Sequence, residues 1–182
     1  RFLALLVLAS VPAAIAGLVL EGPVESALAH DTRSLAQATA ALLLLTGTIL
    51  LYGEAIGSRQ LTSEEIPVRG ALTVGLAQAV AVLPGVSRSG ATISAGLASG
   101  LSRAEAARFS FLLSAPIILG AGLAQTDDIV AGAAATEQAA AVAAGFCTAF
   151  LVGYASIAWL LGYLRRAPLT VFSWYAWALG AP

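Results

Sequence analysis

The sequence predicts an all-α integral membrane protein, a polytopic helical bundle that contains one broken, re-entrant helix hairpin. Three observations carry that reading. The 182 residues are 59% hydrophobic and only 10% charged, against roughly 25% charged in an ordinary soluble domain. The apolar residues gather into runs long enough to cross a bilayer, with the charges confined between them. Two further apolar runs are too short to cross and meet at Pro84-Gly85.

Taken in order, 2–20 is a first span with Pro12 inside it, and Glu21 to Ser34 is a polar connection. A second span covers 35–53. Glu54 to Arg69 holds Glu54, Arg59, Glu64, Glu65 and Arg69, and so many charges predict a wet segment. Residues 70–100 form the hairpin, since each half falls short of the ~20 residues a crossing needs. Non-helical backbone at membrane depth survives only where protein or water surrounds it, so this break marks a site rather than a lipid-facing span. Ser102 to Arg108 is polar, 109–125 is a span with Pro116 inside it, and Thr126 to Gln138 is an acidic loop. Residues 139–163 and 168–181 are the last spans. The whole chain is one transmembrane domain. It opens at Arg1 and is apolar from Phe2, which predicts a fragment with its N-terminal part upstream.

Charge placement predicts topology. Arg59, Arg69, Arg103, Arg108, Arg165 and Arg166 lie in loops that the positive-inside rule puts in the cytoplasm, and the loop with Asp127, Asp128 and Glu137 falls outside. A faint repeat pairs "SVPAAIAGL" from Ser10 with "SAPIILGAGL" from Ser114. Repeats of this kind place sites at their interface. The single cysteine, Cys147, forms no internal disulfide and reads as a small apolar residue. The net charge of −1 says nothing useful about partners, and no nucleic-acid partner is expected.

The chemistry concentrates in "LPGVSRSGATISAGLASG", Leu83 to Gly100. Arg88 stays charged at any accessible pH, and an arginine at membrane depth is costly enough to be a functional candidate by default. Its guanidinium grips phosphate oxygens in bidentate geometry. Ser87, Ser89 and Thr92 add hydroxyls, and Ser89 is a candidate N-cap for a helix starting near Gly90. A helix N-terminus beside an arginine is an anion site suited to phosphate, which Gly85 and Gly90 let the backbone approach. The bland alternative is an arginine that snorkels to the interface above capping serines. Gly96 and Gly100 read as helix packing. His30 and the Glu21/Glu25 pair read as loop and interface residues, and Glu64-Glu65 as a solvated helix face.

"GLAQAVAVLPGVSRSGATISAGL", Gly75 to Leu97, resembles the second signature of the undecaprenyl-diphosphate phosphatase family (UppP or BacA), and the likeness extends through "RAEAARFSFLLSAPIILGAGL" and back to "SVPAAIAGL". It covers nearly the whole chain. The resemblance implies an inverted-repeat membrane fold with two re-entrant hairpins. It also implies hydrolysis of a C55 polyprenyl diphosphate to the monophosphate, which recycles the lipid carrier of cell-wall synthesis and alters bacitracin sensitivity. By position, Arg88, Ser87 and Ser89 are the implied catalytic residues, and Gly85, Gly90, Thr92 and Gln78 the implied substrate-binding ones. The implied cofactor is Mg2+ or Ca2+. Its ligands belong to the family's other, glutamate-rich signature, which nothing in this chain matches, so no metal ligand is expected here. The implied setting is the bacterial cytoplasmic membrane, with polyprenyl diphosphate and membrane lipids as partners and homo-oligomerisation left open. A secondary transporter binding an anion at the broken helix is the competing reading. A type-2 phosphatidate phosphatase would need histidines that the Arg88 motif lacks, and a purely structural scaffold would have no use for Arg88.

Overall fold

The computed structural model describes residues 1–29, 32–57, 60–124 and 139–181. These form helices α1 (Phe2–Ala29), α2 (Thr32–Ile56), α3 (Val68–Val80), α4 (Arg88–Ala98), α5 (Arg103–Ala124), α6 (Ala139–Leu164) and α7 (Thr170–Gly180). Among the described residues, four of the helices carry stretches long and apolar enough to cross a membrane: Phe2–Leu20, Leu35–Ile56, Arg103–Leu123 and Ala140–Leu164. The chain is an all-α, multi-pass membrane protein. Large apolar side chains such as Leu18, Leu123, Phe146 and Trp159 stand exposed on these helices, as surfaces facing lipid do. His30, Arg59, Asp127, Asp128 and Glu137 lie outside the described residues.

α3 and α4 pack antiparallel, with Gly70 against Ser99 at the open end. At 1.5 Å per residue the 13 residues of α3 reach about 20 Å, short of a ~30 Å hydrocarbon core. α4 ends in a Schellman motif. Gly100 takes φ +94°, Leu101 N–H donates to the Gly96 carbonyl and Gly100 N–H to the Leu97 carbonyl. Leu61 and Leu101 then bridge side by side, with the Gln60 and Leu61 N–H groups donating to the Gly100 carbonyl and Ser102 N–H donating back to Leu61. This is the base of the hairpin. α1, α3 and α5 all start there and run the same way, as shown by Arg1 reaching the Ile66 carbonyl, Phe2 meeting Phe109 edge-on, and Gly96 of α4 lying against Ala106. α7 returns antiparallel along α2, from Leu169 beside Glu54 to Gly180 beside Ala40.

Packing is uneven along the hairpin. Phe109, Leu97, Leu101, Leu113, Leu164, Ile66 and Val74 fill the base and middle. The buried apolar cluster at the tip consists of Ala81, Val86 and Ala91, with Leu42 and Ala77 beside them. Small side chains leave space, and two cavities flank the tip.

Several expectations are corrected. The polar connection after Leu20 is helical as far as Ala29, and α2 begins at Thr32. A helix satisfies its own backbone, so polar side chains do not end it. Ser102 to Arg108 is likewise mostly helical, because Ser102 caps α5 through the Glu105 N–H. Glu54 is not wet. It is 7% exposed, and its carboxylate accepts from Arg103 Nε at 2.8 Å, from Arg103 Nη2, and from the Leu169 N–H at 3.3 Å.

Candidate functional site

α4 begins two residues earlier than the sequence suggests. Its N-cap is Ser87, whose Oγ accepts from the Gly90 N–H at 3.1 Å, and Ser89 sits inside the first turn. The reason lies in the turn before it. Gly85 takes φ +94°, and a Cβ there would stand 2.7 Å from the Thr39 carbonyl oxygen of α2. That left-handed, crowded position admits little but glycine. It throws Val86 inward and leaves Ser87 extended, which is the N-cap conformation. Thr46 of α2 fastens the turn: its hydroxyl donates to the Gly85 carbonyl at 3.3 Å and accepts from the Ser87 N–H at 3.2 Å. A Cβ on Gly90 would lie 3.1 Å from Ser87 Oγ, so glycine leaves room for the cap.

Arg88 is therefore the first residue of α4. Its side chain is exposed and makes no hydrogen bond or ion pair among the described residues. The N–H groups of Arg88 and Ser89 have no acceptor among them either, as expected of a helix start. These donors open onto a cavity of about 480 Å³, lined by the turn from Ala81 to Val86, by Arg88 and Ser89, and by Ser110, Phe111, Ser114 and Ile118 of α5. A guanidinium, two free N–H groups and the positive end of a helix dipole meet at one concave surface. That arrangement favours a phosphate or another multivalent anion.

The remaining predicted residues stand behind this surface. Thr92 is 1% exposed. Its hydroxyl proton goes to the Arg88 carbonyl at 2.8 Å, so Ser110 Oγ, at 2.6 Å, is the donor between the two hydroxyls. The pair ties α4 to α5. Gln78 is 2% exposed in α3, outside the cavity lining, and neither its amide nitrogen nor its oxygen finds a partner among the described residues. Ser87 Oγ, 3.4 Å from Ser89 Oγ, is engaged as the cap.

Sequence reasoning missed Thr46, Ser110 and Ser114. Each is one hydroxyl in an apolar helix, and only the packing of α2 and α5 against α4 brings them to the turn. No group of three or more His, Cys, Asp and Glu that could hold a metal occurs among the described residues. The cavity presents hydroxyls rather than carboxylates, so its residues do not fit Mg2+ or Ca2+, which favour carboxylate-rich cages or sites.

Comparison with known proteins places this architecture. The chain is 43% identical to an undecaprenyl-diphosphatase of Rubrobacter xylanophilus, covering 100% of the chain and 65% of that protein. It is 44% identical to one from Methanothermobacter thermautotrophicus, over 97% of the chain and 95% of that protein. A third, from Geobacter sulfurreducens, is 41% identical over 91% of the chain and 60% of its own length. The chain thus spans about two thirds of the Rubrobacter protein and nearly the whole of the Methanothermobacter one. The family described as bacitracin resistance protein BacA matches residues 1–182, and with its Pro-Gly turn, Ser87 cap and Arg88 the chain belongs to that family.

Proposed function

We propose that the protein hydrolyses a polyprenyl diphosphate to the monophosphate and inorganic phosphate. Its relatives are named for that reaction on undecaprenyl diphosphate. The observation that carries the reading is Arg88, the unpaired first residue of a helix, facing a cavity in an otherwise apolar chain. Arg88 and the N–H groups of Arg88 and Ser89 hold the phosphates, and Ser89 Oγ touches them beside the guanidinium. Ser87 and Thr92 keep the helix start in place. In the reaction a water oxygen bonds to the terminal phosphorus, the bridging P–O bond breaks, and its electron pair stays on the lipid phosphate. Phosphoryl transfer of this kind is accelerated mainly by positioning and charge stabilisation, which are the functions these residues supply.

On this reading the four long apolar stretches cross the membrane, while α3 and α4 enter and leave from the base end. Arg1, Arg69, Arg103, Arg108, Arg165 and Arg166 belong to helix starts and connections at or near that end, which the positive-inside rule puts in the cytoplasm. The membrane is the cytoplasmic one, and the product re-enters the lipid-carrier cycle of cell-wall synthesis. The test is phosphate release from a polyprenyl diphosphate by the purified protein in detergent, beside Arg88→Ala. Release by the parent alone supports the phosphatase. Anion uptake into vesicles without phosphate release would move the site to a transporter.

A further inference from the structure

α6 is the least covered helix of the described chain: from Ala140 to Tyr163 none of its residues is buried. Its 26 residues reach ~39 Å at 1.5 Å per residue, so across a ~30 Å hydrocarbon core its last turn emerges among lipid headgroups. At that end Trp159, Tyr163 and Arg166 follow one another at i, i+4 and i+7, the spacing of one helix face. The turn past Leu164 keeps Arg166 in this row, because the Arg166 and Ala167 N–H groups both donate to the Tyr163 carbonyl at 2.9 Å. Trp159 stacks on Tyr163, with ring centroids 5.5 Å apart, and Tyr163 meets Phe172 of α7 edge-on at 5.8 Å. The aromatic pair is thereby fixed in place. Beside it Gly162 has nothing within 4 Å of where a Cβ would stand. These residues, with Ala158 and Ala167, line a surface notch of about 480 Å³.

The charge in the notch is unanswered. Arg103 is paired with Glu54 and Arg108 with Glu105, whereas the exposed Arg166 has no side-chain partner among the described residues, and no carboxylate lines the notch. We propose that the notch binds an anionic glycerophospholipid of the leaflet at the base end. The phosphodiester rests on Arg166, the glycerol esters lie beside the Trp159–Tyr163 stack, and the first methylenes cover Gly162 and Ala158. Arg166 and Trp159 are seven residues apart, ~10 Å along the axis, so the guanidinium stands among phosphates when the indole sits at the hydrocarbon edge. Aromatic rings favour that edge, and basic pockets beside spanning helices favour anionic headgroups. A zwitterionic lipid brings its own cation to the phosphate. An anionic one leaves the guanidinium as the nearest counter-ion. The proposal rests on the membrane fold alone and is independent of the diphosphatase reading.

Trp159 reports on the notch directly. The protein is reconstituted into phosphatidylcholine vesicles that hold a small fraction of lipid brominated on its acyl chains, either phosphatidylglycerol or phosphatidylcholine with the same chains. Bromine quenches indole fluorescence on contact, and the part of the signal that Trp159→Phe removes belongs to Trp159. The expected result is quenching by brominated phosphatidylglycerol as if it were enriched about fivefold at Trp159, the factor one arginine contributes beside an anionic lipid, with brominated phosphatidylcholine at its bulk proportion. Arg166→Gln should remove the enrichment. Gly162→Leu, which fills the floor of the notch and keeps the charge, should lower it too and stands in if Arg166→Gln does not fold. Equal quenching by the two lipids overturns the proposal and leaves Arg166 as a cation that complements the C-terminal dipole of α6. An enrichment that survives both variants and vanishes in high salt is diffuse attraction to the basic end, and also overturns it. Loss of the preference on adding millimolar inorganic phosphate would show a site for the free anion rather than a lipid. Absence of quenching by either lipid would place protein over the notch, a second copy of this chain included, and overturns it as well.

Discussion

Two stretches of this chain are locally almost the same and do opposite things. Gly85-Val86-Ser87-Arg88 and Gly100-Leu101-Ser102-Arg103 each have a glycine at φ +94°, then a buried aliphatic residue, a serine that caps a helix, and an arginine as its first residue. A cation at a helix N-terminus faces the unfavourable end of the dipole, so each arginine needs something negative. Arg103 finds it within the protein: Glu54 of α2 accepts from Nε and Nη2, and Glu105 stands two residues on. Arg88 finds no carboxylate among the described residues, and position 90, where α5 has its glutamate, is glycine. The first site at the hairpin base is satisfied and structural. The second, at the tip, opens onto the cavity lined by Arg88 and Ser89. The local motif builds a cationic helix start, and the presence or absence of an acid on the neighbouring helix decides whether that start is paired within the fold or opens onto a cavity.

Removing each arginine's function should separate the two regions. Arg88→Ala is expected to lower kcat/KM by ~100-fold or more, as loss of a principal charge-stabilising group does. Its thermal midpoint in detergent should not move, because the side chain makes no contact the fold needs. Near-normal turnover in that variant would remove Arg88 from the site. Arg88→Lys should recover only part of the activity, since an ammonium lacks the bidentate fork.

Glu54→Ala should do the reverse. It leaves Arg103 unpaired against the bundle and the Leu169 N–H without an acceptor, for a loss of about 2–4 kcal/mol read from denaturation in detergent. Activity at low temperature should survive. If Glu54→Ala abolished turnover while the midpoint stayed put, the base would belong to the site as well.

Gly85→Ala tests the turn that both regions share in form. The strained φ and the nearby Thr39 carbonyl predict a loss of about 1–3 kcal/mol. Activity should fall with it, because the turn aims Ser87 and Arg88. An unchanged midpoint would mean that the tip yields more easily than its packing implies.

The smallest effect belongs to Glu65 at the base. The Thr62 N–H and hydroxyl both donate to its carboxylate, at 2.9 and 2.8 Å, and hold its pKa below the ordinary 4.5. A lowered folded-state pKa adds stability above the unfolded value and loses it as pH falls through the folded one. The midpoint difference between the parent and Glu65→Gln should be small at neutral pH and close below about pH 4.5. A difference that persisted in strong acid would show that the carboxylate is not its source.

The sequence by itself determined the class of the protein. Runs of apolar residues with few charges have one stable solvent, the bilayer, and their lengths set which helices can cross. Two short runs either side of Pro84-Gly85 announced a break, and an unaccompanied Arg88 announced an anion. Only tertiary structure decided the rest. Glu54 read as one more wet charge until the ends of α2 and α5 met and paired it with Arg103. The helix start lies at Ser87 and not Ser89 because Gly85 turns tightly against α2, where Thr46 holds the turn. The hydroxyls of Thr46, Ser110 and Ser114 carry no signal along their own helices, since a lone serine or threonine in an apolar run satisfies itself on its own backbone as readily as it lines a site. Local composition settles what a segment can tolerate around it. Which neighbour it receives depends on contacts between residues far apart in the chain, and here those contacts separate an arginine paired within the fold from one left without a partner among the described residues.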